Sequence, residues 1–122
     1  MAHLAGDDSS RAGLRYLDAE HVEHPSGTLG GVDVCTEQDE QLGALDGVLI
    51  EPATRRVRYF VVEGNRKPHL YVLPADTPAV LDTQYRKLRV TANAGDLERL
   101  RGSVTEFSDE DVLTAMFRTP AA

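Results

Sequence analysis

The chain has 122 residues, 41% of them apolar and 27% charged, a balance that supports one folded domain and excludes a low-hydrophobicity disordered chain. Its strongest apolar run, residues 59–62, is flanked at once by Arg58 and Glu63, so no stretch approaches the roughly 20 apolar residues of a membrane-spanning helix. The net charge of -7 repels nucleic acid at long range, and the single cysteine, Cys35, excludes an intramolecular disulfide framework and fits a reducing, cytoplasmic setting.

Residues 1–13 hold Leu4 as their one large apolar group and carry Asp7 and Asp8 where a signal peptide would be apolar, so they read as a flexible tail. Across residues 14–30, Leu14, Leu17 and Val22, with Tyr16 beside them, predict an arm that packs on the domain, broken by Pro25 and Gly27. From residue 31 the pattern becomes short β-prone runs separated by turn chemistry. Residues 32–36 form the first run, and residues 42–51 a longer one in which Asp46-Gly47 marks a tight turn or, preferably, a bulge that bends one strand, because Val48, Leu49 and Ile50 follow directly.

Pro52 then opens a turn into residues 57–63, the strongest strand in the sequence, and the two runs predict an antiparallel hairpin. Both alternating sets of this strand are apolar, Tyr59 and Val61 against Phe60 and Val62, which predicts cover on both faces. Residues 69–73 end at Pro74, and shorter strands follow at 79–83 and 87–90. So many short strands without a helical crossover predict a mainly β domain, a small antiparallel barrel over residues 31–91, since too few strands are present for two full sheets.

Residues 92–122 change character and predict a helical extension. Gly95-Asp96 opens a short helical turn through Arg101, and Ser108 with Asp109, Glu110 and Asp111 opens a clearer helix by capping free N–H groups and complementing the helix dipole. Val112, Leu113, Met116 and Phe117 place an apolar stripe on it that must pack on the barrel or on a second copy of the chain.

The runs Gly31-Val32-Asp33-Val34, residues 42–52 and residues 56–63, followed by Tyr71-Val72-Leu73-Pro74, occur in an order and spacing that resembles the PRC-barrel family. The resemblance implies a small β-barrel used as a docking module, as in the photosynthetic reaction-centre H subunit, a ribosome-maturation factor and many stand-alone proteins. Neither the membrane helix of the first nor the preceding barrel domain of the second is read in these residues, so neither role is carried over. The family supplies no catalytic residues, and fold alone licenses no function.

Charge is unevenly spread: residues 1–54 carry 11 acidic and 2 basic side chains, residues 55–101 carry 10 basic and 5 acidic. Arg55, Arg56, Arg58, Arg66, Lys67, Arg86, Lys87 and Arg89 fall at hairpin ends and outward strand positions, where they form either a solvated, internally paired rim or a surface for an acidic partner. His21 and His24, three residues apart among Glu20 and Glu23, read first as a solvated arm and second as half of a metal site that lacks evident further ligands. His69 and Cys35 read as structural residues, and Gly30, Gly31 and Gly43 as turn residues, since none sits between a strand and a helix as a phosphate loop requires.

The resulting expectation is a non-enzymatic adaptor that uses no cofactor and engages another protein or a second copy of itself, with a homodimer favoured and Val112, Leu113, Met116 and Phe117 as oligomer contacts. The alternatives are an RNA or ribonucleoprotein-binding accessory module using the basic rim, and a metal-binding protein using the His21 and His24 arm.

Overall fold

A computed structural model describes residues 13–24, 27–65, 69–100 and 104–106. In chain order the strands are β1 (Arg15–Asp18), β2 (Glu23–His24), β3 (Gly27–Thr28), β4 (Asp33–Thr36), β5 (Gln41–Glu51), β6 (Arg56–Gly64), β7 (Leu70–Pro74), β8 (Ala79–Asp82), β9 (Lys87–Val90), β10 (Glu98–Arg99) and β11 (Thr105–Glu106). Single 3-10 turns lie at Ala19–His21 and Ala94–Asp96.

The main sheet runs β10-β7-β6-β5-β4-β9-β8, and β1 branches from it by pairing with β5. The sheet curls around one interior but does not close: among the described residues, β8 has a ladder partner on one side alone. Two pairings, β4 with β9 and β1 with β11, are parallel. The expectation of a closed antiparallel barrel is corrected on both counts. The reason lies in the connections: β4 and β9 are brought together across the whole β5–β8 excursion, which local turn chemistry does not encode.

The long strand β5 has a bulge at Asp46, where the register with β6 slips between Leu45 and Gly47. Strict alternation would turn Val48 away from the interior that receives Leu45; the extra residue restores its direction, and Leu42, Leu45, Val48 and Ile50 all enter the main core. A second slip leaves Arg58 unpaired on β6, between Tyr59 opposite Leu49 and Val57 opposite Ile50. It turns Arg58 outward and lets Val57 join Phe60 and Val62 in the same core.

The bend also divides one edge of β5 between two partners. Its first half pairs with β4, as in Val34 opposite Gly43, and its second half with β1, as in Leu17 opposite Val48. Gly47 makes the second contact possible: a Cβ there would strike the Leu17 carbonyl oxygen and come within 2.7 Å of the Tyr16 ring and hydroxyl. Tyr16 in turn reaches Asp46, its Oη lying 2.9 Å from the Asp46 carbonyl and 2.5 Å from Oδ2. The phenol thereby ties β1 to the bulge itself.

The strand β6 is covered on both faces, as its two apolar sets predict. Phe60 and Val62 face the main interior with Leu17, Val34, Leu73, Leu88 and Val90, whereas Val61 joins Leu14, Leu49 and Val72 in an outer cluster. Leu100 and Val104 pack on that outer cluster, so residues from both flanks of the sheet seal it. The helical turn expected through Arg101 is corrected: after the 3-10 turn, capped by Asn93, the chain extends into β10 and pairs with Tyr71 and Val72 of β7. Leu97 packs on the core at this point, and tertiary pairing overrides the local capping signal. The expected helix carrying Val112, Leu113, Met116 and Phe117, like the tail at residues 1–12, lies outside the described residues.

Candidate functional site

The basic residues fall at two levels of the sheet. Arg55 ends the β5–β6 turn and Arg56 and Arg58 lie at the start of β6, opposite the last residues of β5, whereas Lys87 and Arg89 lie in register with Asp33 and Cys35, level with the beginning of β5. Five or more residues of β5 separate these levels, roughly 17 Å of strand at the least. Arg66 and Lys67 lie outside the described residues.

Several of these cations are already engaged within the chain. Arg58 Nη1 donates to Glu51 Oε1 at 2.9 Å, and Arg86 Nη2 donates to the carbonyls of Thr28 (3.0 Å) and Gly30 (2.5 Å). Arg86 has a φ of 54° and Arg55 one of 59°, left-handed turn positions that fix where each side chain departs. Arg89 Nη1 donates to Asp39 Oδ1, and its Nη2 lies 3.8 Å from Asp82 Oδ2. That hydrogen bond, more than the charge itself, holds the Asp39 carboxyl below its ordinary range and raises Arg89. Lys87 is half-buried on β9, and Arg55 and Arg56 are exposed.

His21 is exposed on the first 3-10 turn, and His24 lies on β2 with its backbone opposite Gly27. Among the described residues no three His, Cys, Asp or Glu side chains converge as a metal site would require. His69 is exposed, immediately before β7, and its carbonyl accepts from the Gly64 N–H at 3.0 Å. Cys35 is buried with its Sγ 4.0 Å from Arg89 Nη1.

The β8–β9 hairpin carries a feature that the sequence pattern did not single out. Among the described residues, the exposed large apolar side chains are Val80, at 67%, and Tyr85, at 63%, and both belong to this hairpin. Ala79 and Leu81 turn inward and pack on the core, which leaves Val80 on the outer face opposite Arg89. The turn is organised by Asp82, whose Oδ1 accepts from the N–H groups of Gln84 (3.1 Å) and Tyr85 (3.2 Å). Beside Val80 runs a shallow open groove lined by Glu37, Pro78, Ala79, Arg89 and Thr91. The strand itself was legible at residues 79–83, but its mixed burial gives no sequence signal of which side chain stays in solvent; only its place at the sheet edge exposes Val80.

A family model for the PRC-barrel domain matches residues 22–99, close to two thirds of the chain. The chain belongs to the PRC-barrel family. The match runs from the end of the first 3-10 turn through β10 and so contains the whole β8–β9 hairpin. PRC-barrel domains are generally interaction modules. No curated protein matches the chain. Among the described residues of this PRC-barrel domain no helix is long and apolar enough to cross a membrane.

Proposed function

We propose that this PRC-barrel domain is a non-enzymatic docking module, and that the β8–β9 hairpin is the end at which it holds another protein or a second copy of itself. The observation that carries the reading is the exposure of Val80 and Tyr85 on one hairpin at an open sheet edge. Apolar groups left in water contribute nothing to the fold of the isolated chain, and a partner that covers them gains their burial. The guanidinium of Arg89 and the carboxylates of Glu37 and Asp39 border the same surface and supply a polar rim. Binding rather than chemistry also accords with an interior filled by Phe60 and aliphatic side chains and with a thiol buried beside Arg89.

The basic residues support an RNA-binding reading less well. Arg58, Arg86 and Arg89 are engaged within the chain, the set is split between two levels of the sheet, and the net charge is -7.

The test is isolation of the full chain from its native cells after chemical cross-linking, with the wild type compared with a Val80→Asp, Tyr85→Ser variant and with an Arg55→Glu, Arg56→Glu variant. Loss of the cross-linked protein in the first variant and its retention in the second is the expected result. An unchanged set of cross-linked proteins in the hairpin variant would remove the hairpin from the docking role.

A further inference from the structure

The free edge of β8 has a hydrogen-bonding pattern that can be read residue by residue. In the antiparallel β8–β9 ladder Ala79 lies opposite Val90 and Val80 opposite Arg89, and the Thr91 N–H donates to the Pro78 carbonyl at 2.9 Å. Residues of an antiparallel strand alternate between pairs that exchange hydrogen bonds and pairs that do not. Pro78, Val80 and Asp82 therefore turn their backbone groups toward β9, and the N–H and C=O of Ala79 and Leu81 point to the open side.

Edge strands are commonly blunted by proline or by charge. Proline precedes β8, but its missing N–H belongs on the β9 side, so Pro78 leaves the outward row intact. The acidic Asp82 is held by the turn that it organises and by Arg89.

We infer that β8 pairs antiparallel with β8 of a second copy of this chain, about a two-fold axis that passes beside Val80. The inference rests on the docking role given above to the β8–β9 hairpin and names its occupant. With Val80 opposite Val80 of the second copy, Ala79 falls opposite Leu81 of the second copy, and the reverse. Every outward N–H then meets an outward carbonyl, because the two positions that offer groups on one edge meet the two that offer them on the other. The Val80 pair becomes a non-hydrogen-bonded pair, the kind in which facing side chains lie closest.

Charge fits the same register. Asp82 comes opposite Pro78 of the second copy, not opposite another carboxylate, and Arg89 stays beside its own Asp82 and Asp39. A two-fold contact must be self-complementary, and this edge satisfies that requirement in backbone polarity, in apolar contact and in charge. Both surfaces are already ordered in the separate chains, so pairing avoids the ordering cost that a flexible peptide would incur at an edge this short.

The full chain in sedimentation velocity over a concentration series is expected to show a monomer–dimer equilibrium. Val80→Asp sets two carboxylates opposite each other at the axis and is expected to weaken it by about tenfold or more, with a thermal midpoint unchanged at concentrations where both proteins are monomeric. A non-hydrogen-bonded pair holds its Cα atoms about 4.5 Å apart, within disulfide reach, so Val80→Cys treated with copper phenanthroline is expected to give a covalent dimer. Gln84→Cys, equally open to the oxidant but placed roughly 25 Å from its symmetry mate by this register, is expected to give none. Cys35, buried in the fold and carried by every variant, serves as an internal control.

A chain that is monomeric at every concentration, with no covalent dimer from Val80→Cys, overturns the self-pairing. Loss of a different cross-linked protein by the hairpin variant would then leave the docking role standing. A dimer that forms without cross-linking through Val80→Cys overturns this register and axis. Failure of the docking role itself shows separately, as an unchanged cross-linked set in the hairpin variant.

Discussion

The β5–β6 and β8–β9 hairpins draw on the same aliphatic and β-branched residues but occupy opposite situations in the sheet. In the first, β6 lies between β5 and β7, its two faces lie in two separate apolar clusters, and both strands carry register slips that aim side chains inward. In the second, Leu81, Leu88 and Val90 reach the core while Val80 stands in solvent and, among the described residues, one backbone edge is free. A β-branched residue in a strand thus stabilises the fold or offers a surface according to the neighbour its strand receives. Its identity does not choose between the two.

The largest effect that separates the hairpins is expected from truncating their apolar groups. Phe60→Ala removes a ring from the centre of the main core and should cost about 3–5 kcal/mol, whereas Val80→Ala should stay within about 0.5 kcal/mol, both read from urea unfolding midpoints. Comparable losses at the two sites would erase the distinction between them.

A smaller effect should follow from closing the space between β1 and the bend. Gly47→Val would drive side-chain atoms into the Leu17 carbonyl and the Tyr16 ring, costing about 1–3 kcal/mol. Hydrogen exchange should locate the damage, with protection lost along β1 and retained where β6 meets β7. Uniform loss along every strand would mean that β1 is not a separable branch of the sheet.

Tyr16→Phe keeps the ring and removes only the hydroxyl that reaches the bulge, and about 1 kcal/mol is expected, again from the urea midpoint. A neutral outcome would show that the bulge is set by β5 and β6 without help from β1.

The smallest effect concerns the rim of the β8–β9 hairpin. Because Arg89 lowers the folded-state pKa of Asp39, their pairing contributes stability that is present above the unfolded carboxylate range and is lost as pH falls through the lower folded value. Asp39→Asn should therefore narrow the gap between neutral and acid stability, and added salt should shrink the difference because the pair is exposed. Identical pH profiles for the variant and the wild type would deny the pair any energetic role.

Part of this architecture was legible in the residues. Alternating apolar sets marked β6 as covered on both faces, Asp46-Gly47 marked the bend in β5, and the run at residues 87–90 coincides with β9. Each of these depends on neighbours within a few positions of one another, where backbone preference and side-chain period act directly. The strand after the Ala94–Asp96 turn was misread for the same reason, since its capping residues speak for a helical start and say nothing of Tyr71 and Val72 waiting opposite.

What the sequence by itself determined is therefore a set of strands, their turns and the faces that must be apolar, because these follow from local geometry and from the period of two. Tertiary structure alone decided that β4 would lie parallel to β9, that the sheet would stay open, that the basic groups would separate, and that β8 would be left at the edge with Val80 outward. Those outcomes depend on pairings between segments distant in the chain, and which side of a strand goes unpaired is a property of the assembled sheet that no single strand carries.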